Sequence, residues 1–140
     1  MTTERFLDTN ILLYGYDLDA PEKRNIAQSL IEQAWLQPGR TAISVQVLQE
    51  FYVNFVRRGR SATDDALLIA DFSLWPVIDN TLAVFRLGLA LQPRWKLSLW
   101  DAMIVAAAQT SGARELFTED LNHGQDYDGV RAVNPFRASA

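Results

Sequence analysis

Four acidic residues occupy positions at which the side chains of an α/β protein can do chemistry together. Asp8 ends a short apolar stretch, and Glu50 lies roughly two turns into a helical segment. Asp101 falls in the first turn of another helical segment, and Asp120 follows a second apolar stretch. Open sheets of parallel strands bind their ligands at the edge formed by the carboxyl ends of the strands. We therefore expect these four carboxylates to converge in one cleft.

Carboxylates gathered in this way need protons or a cation between them. Two unit charges about 5 Å apart repel by roughly 3 kcal/mol at an effective dielectric constant near 20. With no cysteine and a single histidine in the chain, the ligands are all oxygens, which suits Mg²⁺ or Mn²⁺. Such an ion can activate water and neutralise charge on a phosphate, so the pattern favours phosphodiester hydrolysis. Four polar neighbours can support the ligands by hydrogen bonds: Thr9, Asn10, Ser44 and Thr118.

Each acid also has an ordinary structural interpretation, which stays open at this point. Asp8 can be a helix N-cap, and Asp101 stands three residues after Ser98, where an acid completes a capping box. Glu50 fits a solvated helix face, and Asp120 fits a solvated acidic loop. A purely structural account of all four, however, requires four independent coincidences.

Alternating strands and helices must position these acids. Five strands are predicted, at residues 5–8, 41–44, 75–78, 115–118 and 130–133. The alternation predicts an α/β fold with a mostly parallel five-stranded sheet covered by helices on both faces. Residues 1–140 contain no internal repeat and no linker-like stretch, so one domain is expected.

Helix boundaries follow from capping and breaking residues. Asp19 is predicted to cap the helix that begins near Pro21, and the helix over residues 81–91 is predicted to end before Pro93. The helix after Ser98 is apolar on nearly all sides and should pack centrally. Residues 119–129 are predicted to form a polar loop that holds His123, which we expect to be a loop residue or a substrate contact rather than a metal ligand.

The charge balance gives little support for a broad basic surface. The net charge is −4, but without the four or five candidate site acids the remaining surface is nearly neutral. Arg57-Arg58-Gly59-Arg60 is either a solvated helix end or a contact for an RNA backbone. The longest apolar run, residues 102–108, is too short to span a bilayer, and no secretory signal is visible, which favours the cytoplasm.

Four motifs together resemble the PIN-domain nucleases, and most closely the VapC-type toxins of bacterial toxin–antitoxin modules. The motifs are Leu7-Asp8-Thr9-Asn10, Gln49-Glu50-Phe51-Tyr52, Leu99-Trp100-Asp101-Ala102 and Phe117-Thr118-Glu119-Asp120-Leu121. The resemblance implies a three-layer α/β/α fold, RNA cleavage that depends on Mg²⁺ or Mn²⁺, and commonly a homodimer. It also implies a VapB-like antitoxin as a partner.

The resemblance assigns roles by motif position. Asp8 and Asp101 would be the principal metal ligands. Glu50 would complete the acidic site, through water or as a base on the attacking water. Asp120 matches the fourth acid of the family's Thr-x-Asp pattern, and the adjacent Glu119 is the alternative for that position.

Three other functions compete with this interpretation. A non-catalytic RNA- or protein-binding module would keep the fold, bind without divalent metal and tolerate loss of Asp8. A phosphoacceptor domain resembling receiver domains could use Asp79, but Asp8 has no adjacent acid and no lysine follows Lys96. A structure-specific DNA nuclease could use a related acid site, and only the resemblance favours RNA over DNA.

Overall fold

The computed structural model describes residues 2–59 and 62–137, except for the side chain of Ala62. Within these residues the strands are β1 (Arg5–Leu7), β2 (Thr41–Ser44), β3 (Val77–Ile78), β4 (Glu115–Phe117), β5 (Asp126–Tyr127) and β6 (Val130–Val133). They form one sheet in the order β3-β2-β1-β4-β6-β5. All neighbouring strands are parallel except β5 and β6. The mostly parallel sheet is therefore as predicted.

Helices connect β1 to β2, β2 to β3 and β3 to β4. They are α1 (Thr9–Tyr14), α2 (Pro21–Leu36), α3 (Val45–Arg57), α4 (Ala62–Phe72), α5 (Leu82–Trp95) and α6 (Leu99–Ser111). The order along the chain confirms the predicted α/β class, in which helices alternate with strands of a central sheet. None of these helices combines the length and the apolar character needed to span a membrane.

The prediction of five strands was wrong, because the described sheet has six. The additional strand, β5, lies inside the segment predicted to be a polar loop and pairs antiparallel with β6. Asp128 and Gly129 form the turn with φ values of 54° and 105°, and Asp126 accepts a hydrogen bond from the Gly129 amide. Buried Tyr127 anchors the strand against Trp95. A two-residue strand shows no alternation, so the Asp-Gly pair was its one sequence signal.

Two predicted helix boundaries were also wrong. Ala20, not Asp19, is the N-cap of α2, and Pro21 occupies the first turn without any side-chain cap. Helix α5 continues past Pro93 to Trp95. Pro93 cannot donate to the carbonyl of Leu89 as another residue would, but only two helical residues follow it, so little of the helix is affected. The helix stops instead at Lys96, which adopts a left-handed conformation with φ of 55°.

Helix α6 is the central helix of the fold, as predicted. Its residues 102–108 are all buried, and it contacts β1, β2, β3, β4 and β6 as well as α5. Gly88 of α5 allows the close approach, because a Cβ atom there would lie 2.7 Å from the Met103 sulfur. This packing fixes the first turn of α6, which carries Asp101, relative to the sheet.

The carboxyl ends of the central strands meet at one edge. β1 lies between β2 and β4, with Leu7 opposite Phe117. Asp8 follows β1 at once, Ser44 ends β2 at the start of α3, and Thr118 follows β4. Three segments that carry candidate site residues therefore leave the sheet side by side.

A cluster of aromatic rings stabilises α3 against its neighbours. Phe51 is fully buried, with its ring centroid 5.0 Å from Phe55 and 5.6 Å from Phe72. Tyr16 packs edge-on against the same three rings. Since α3 also carries Glu50, this cluster helps to set the position of that acid.

Phe51→Ala is expected to lower the free energy of unfolding by about 3–5 kcal/mol, because it removes a buried ring and leaves a cavity. The adjacent Tyr52 is 44% exposed, and Tyr52→Ala serves as the control, with a change of about 0.5 kcal/mol or less. Chemical denaturation of both variants measures the difference. Equal destabilisation by the two substitutions would contradict the assigned burial.

Candidate active site

The four predicted acids line one cleft at the carboxyl edge of the sheet. They arrive from four separate segments: the β1–α1 junction, α3, α6 and the loop after β4. The cleft has a volume of about 180 Å³ and is lined by Asp8, Thr9, Asn10, Leu13, Gln46, Glu50, Asn54, Trp100, Asp101, Ile104 and Asp120. The fold thus brings together the acids that the sequence analysis singled out.

Asp8 is the most buried of the four, at 5% exposure. Its Oδ1 accepts a 2.7 Å hydrogen bond from the Thr9 amide, and its Oδ2 accepts a 2.8 Å bond from the Thr118 hydroxyl. With φ of −75° and ψ of 164°, it is the N-cap of α1. The capping interpretation is therefore correct, and the same carboxylate also faces the cleft.

Burial raises the pKa of Asp8 from its ordinary value of 3.8 to about 7. The hydrogen bonds from Thr118 and Thr9 oppose this rise, and the nearby charges of Asp120 and Glu50 add to it. At neutral pH this carboxyl is consequently poised between its acid and its base form. It can hold a proton or exchange it for a cation.

Glu50 is half-buried on the face of α3 that borders the cleft. Its Oε1 accepts a 3.0 Å hydrogen bond from the Thr9 hydroxyl. Asn54, one turn further along, donates to the Glu50 backbone carbonyl at 2.8 Å. Glu50 is thus oriented by a neighbour from α1 rather than extended into solvent.

Asp101 lies in the first turn of α6, where the Ser98 hydroxyl accepts a 3.1 Å hydrogen bond from the Asp101 amide. This confirms Ser98 as the helix cap. Burial raises the pKa of the Asp101 carboxyl, the charge of Asp120 raises it further, and a hydrogen bond with Ser98 opposes the rise. The Asp101 and Asp120 carboxylates therefore interact across the cleft.

Asp120 is exposed at the mouth of the cleft. Its Oδ2 accepts a 3.0 Å hydrogen bond from the Asn10 side-chain amide, and its backbone N–H donates to the Thr118 hydroxyl at 3.1 Å. Because that hydroxyl also donates to Asp8, Thr118 links the two acids directly. The Asn10 Oδ1 atom is buried and has no hydrogen-bond partner in the described part of the chain.

Glu119 points away from the cleft, although it adjoins Asp120 in sequence. Its Oε1 accepts a 2.7 Å hydrogen bond from the Tyr14 hydroxyl, and its Oε2 pairs with Lys23 at 3.1 Å. Lys23 also lies 4.6 Å from the centroid of the Tyr14 ring, which packs edge-on against Phe136. Both carboxylate oxygens of Glu119 are therefore engaged by α1 and α2, and Asp120 alone of the pair lines the cleft.

Several other residues considered from the sequence lie outside the cleft lining. Ser44 is buried and caps α3 by accepting from the Val47 amide. His123 accepts a 3.0 Å hydrogen bond from the Asn134 amide through Nδ1, which is consistent with a loop residue. Arg58 pairs with Asp17 at 3.7 Å. Arg57 is exposed, and Arg60 lies outside the described residues. Asp79 follows β3 directly.

Sequence reasoning missed two kinds of cleft residue and one set of contacts outside the cleft. Gln46 and Asn54 flank Glu50 at one-turn intervals on α3, which was a usable signal. Trp100 precedes Asp101 and borders the cleft with 65% of its surface exposed. The contacts of Glu119 with Tyr14 and Lys23 had no local signal, because these partners lie 105 and 96 residues away in sequence.

Asp8→Asn replaces the buried carboxyl with an uncharged amide. The pKa of Asp8 is about 7 in the folded protein, against an ordinary value of 3.8 that applies to the unfolded chain. Below about pH 4 the wild-type carboxyl is protonated in both states and folding is favoured most. This contribution to the free energy of unfolding is lost as the pH rises through about 7. Without divalent cations, the variant should be more stable than wild type at about pH 8 by up to roughly 4 kcal/mol. The difference should vanish near pH 4, as measured by denaturant unfolding across this range.

Glu32→Gln, which neutralises an exposed acid on α2, is the matched control and should follow the wild-type stability at every pH. Parallel stability curves for wild type and Asp8→Asn would contradict the raised pKa.

Comparisons with known proteins agree with this architecture. The sequence profile of the PIN domain matches residues 5–125. Ribonuclease VapC24 from Mycobacterium tuberculosis is 28% identical over 141 residues, which cover 92% of this chain and 94% of the relative. A toxin–antitoxin complex from Klebsiella pneumoniae has a TM-score of 0.67 at 26% identity, covering 94% of this chain and 98% of that one.

A further structural match concerns the fold alone. VapC20 from Mycobacterium tuberculosis, described as a Sarcin-Ricin loop cleaving toxin, has a TM-score of 0.63 at 20% identity, covering 84% of this chain and 92% of that one. The resemblance read from the four acidic motifs is thereby confirmed. Since the profile spans most of the residues and the observed sheet and helices agree with these structures, the chain belongs to the PIN domain family.

Proposed function

We propose that this protein is an endoribonuclease that depends on a divalent metal ion and acts as the toxin of a VapBC-type toxin–antitoxin module. The convergence of Asp8, Glu50, Asp101 and Asp120 in one cleft is the observation that carries the proposal. The ribonuclease relative, matched along nearly its whole length, supports RNA as the substrate. Action in the cytoplasm is part of this proposal.

The chemistry of the cleft fits a hard cation. Its donor groups are carboxylate and amide oxygens, and the unpartnered Asn10 Oδ1 offers one more. Among the residues that the structure describes, no three acidic or imidazole groups lie close enough together to enclose a metal ion as they stand. Glu50, Asp101 and Asp120 are not buried, so rotations of their side chains can close the distances. Attraction to a cation would offset their mutual repulsion.

Asp8 and Asp101 are the proposed principal ligands of Mg²⁺ or Mn²⁺, and Glu50 and Asp120 complete the acidic site. When bound, such an ion supplies Lewis-acid chemistry, which acidifies water and neutralises charge that develops on a phosphate. Glu50 is the candidate base that accepts a proton from the attacking water. Its hydrogen bond from the Thr9 hydroxyl aims its carboxylate at the cleft.

The polar neighbours of the acids orient them. Thr118 donates to Asp8 Oδ2 and accepts from the backbone amide of Asp120, so it holds the Asp120 backbone beside the Asp8 carboxyl. The Asn10 amide restrains Asp120 at the mouth of the cleft. Supporting hydrogen bonds of this kind typically contribute 10- to 100-fold to metal affinity or activity.

A VapB-like antitoxin is the proposed protein partner. The similarity to a solved toxin–antitoxin complex over 94% of this chain supports it. The homodimer suggested by the resemblance is likewise part of the proposal.

Asp8→Asn and Asp101→Asn should each reduce RNA cleavage by at least about 100-fold, because each removes a proposed ligand. The decisive experiment induces wild type and Asp8→Asn separately in cells and maps new 5′ ends in total RNA. Growth arrest with site-specific cuts is expected for wild type alone. Equal cutting by either variant would refute the assignment.

Purified protein provides the biochemical control. Cleavage should require Mg²⁺ or Mn²⁺, stop on chelation and resume when the ion is restored. The exposed acid Glu32 is again the matched control, and Glu32→Gln should cleave like wild type. A single-stranded DNA of the same sequence distinguishes a ribonuclease from a DNA nuclease.

Asp120 and Glu119 should respond differently to neutralisation. Asp120→Asn should reduce cleavage by roughly 10- to 100-fold or more, because Asp120 faces the acid cluster. Glu119→Gln should retain most activity, because Tyr14 and Lys23 hold its side chain outside the cleft. Rates measured at saturating metal test this assignment, and the opposite ranking would identify Glu119 as the fourth acid.

A further inference from the structure

Trp100 is an exposed aromatic residue at the border of the acid cleft. It precedes Asp101 in the first turn of α6 and is 65% exposed, whereas residues 102–108 of the same helix are buried. A tryptophan ring left largely in water forgoes the favourable burial of its apolar surface. An exposed apolar residue is ordinary by itself, but this one borders the cleft that holds all four acids.

The backbone of Trp100 is held firmly beside the cleft. Its carbonyl oxygen accepts a 3.2 Å hydrogen bond from the side-chain amide of Gln46, a buried residue of α3. Ser98 caps α6 two residues earlier. The tryptophan ring therefore projects from a position that is tied both to the central helix and to the helix that carries Glu50.

A second hollow adjoins the acid cleft at this ring. Its volume is about 240 Å³, and its lining consists of Gln46, Gln49, Glu50 and Trp100. Three of these, Gln46, Glu50 and Trp100, also line the acid cleft, so the two hollows are neighbours. We call the second hollow the Trp100 recess.

The lining of the Trp100 recess suits the uncharged part of a nucleotide. It contains an aromatic ring and two carboxamides, and its one charged group, Glu50, would repel a phosphate. Unpaired bases stack on aromatic side chains and present their edges to amide donors and acceptors. A base in this recess would lie next to a phosphodiester held at the acids.

The net charge of the chain also favours binding through bases rather than through phosphates. With a net charge of −4, the protein lacks the broad basic balance that commonly supplies affinity for a nucleic-acid backbone. Stacking provides affinity that does not depend on phosphate contacts.

We propose that Trp100 stacks on an unpaired base of the RNA substrate beside the cleaved phosphodiester, and that the exposed Gln49 carboxamide contacts the edge of that base. This inference rests on the proposed ribonuclease function. It adds a nucleobase-binding residue to the acidic site and predicts a requirement for single-stranded RNA.

A protein segment is a less favourable occupant of the recess. A more apolar groove lies elsewhere on α3 and is lined by Val45, Leu48, Gln49, Tyr52, Val53 and Ile69. Trp100 is absent from that groove, so apolar contact with a partner protein has a better surface than the recess.

Steady-state cleavage of a single-stranded RNA oligonucleotide tests the inference. Trp100→Ala should lower kcat/KM by roughly 5- to 150-fold, the range expected for loss of one base–aromatic stack, chiefly through KM. Trp100→Phe should restore most of the loss because it keeps an aromatic face. Leu74→Ala, at a residue 77% exposed in the turn after α4, is the control and should match wild type.

Tryptophan fluorescence in the Asp8→Asn background tests contact without cleavage. Single-stranded RNA should quench the emission, and the quenching should disappear in Asp8→Asn/Trp100→Phe although Trp35, Trp75 and Trp95 remain. A blunt RNA duplex should cause little quenching because its bases are already stacked.

Three results would overturn the inference: wild-type kcat/KM for Trp100→Ala, equal quenching by duplex and single strand, or a lower solution mass for Trp100→Ala than for wild type. The last would assign the ring to an interface between copies of the chain. If wild type cleaves RNA and Trp100→Ala cleaves it equally well, the inference about Trp100 fails and the ribonuclease proposal stands. Absence of cleavage by wild type would instead reject that proposal, while the quenching result would still report on Trp100.

Discussion

The burial of one carboxyl group, that of Asp8, is the constraint on which the cleft depends. The side chain caps α1, receives the Thr118 hydroxyl from the end of the neighbouring strand, and faces the charges of Asp120 and Glu50. Burial and those charges raise its pKa to about 7, against the effect of its hydrogen bonds. The capping and functional interpretations of Asp8 thus describe the same atoms. The cap orients the group, and the neighbouring acids make its charge costly without a counter-ion.

The rest of the architecture holds the other three acids against this group. Residues 102–108 of helix α6 are all buried, so Asp101, which directly precedes them, has little freedom to move with respect to the sheet. An aromatic cluster positions α3, and with it Glu50, while the Thr9 hydroxyl joins α1 to that acid. Packing energy from apolar residues thereby maintains an arrangement of like charges that would otherwise separate.

Glu119 and Asp120 illustrate how neighbouring residues of the same type acquire different environments. The chain leaves β4 with Thr118 buried under Asp8, and the next two side chains then diverge. Glu119 meets a tyrosine and a lysine of α1 and α2, whereas Asp120 meets Asn10 at the mouth of the cleft. Charge pairing thus satisfies one acid and leaves the other to face the acid cluster.

The amino-acid pattern was sufficient for the α/β class, the central position of α6, the mostly parallel sheet and the identity of four acids that share an edge. These follow from local periodicity, from capping residues and from the rule that parallel strands end at one side of a sheet. Strand β5 and the end of α5 escaped prediction, because a two-residue strand carries no periodic signal and a proline near a helix end is tolerated. The position of Asp120 in the cleft and of Glu119 outside it, the raised pKa of Asp8 and the exposure of Trp100 were decided only in three dimensions. Each depends on burial and on partners as many as 110 residues away along the chain, and no local pattern encodes such contacts.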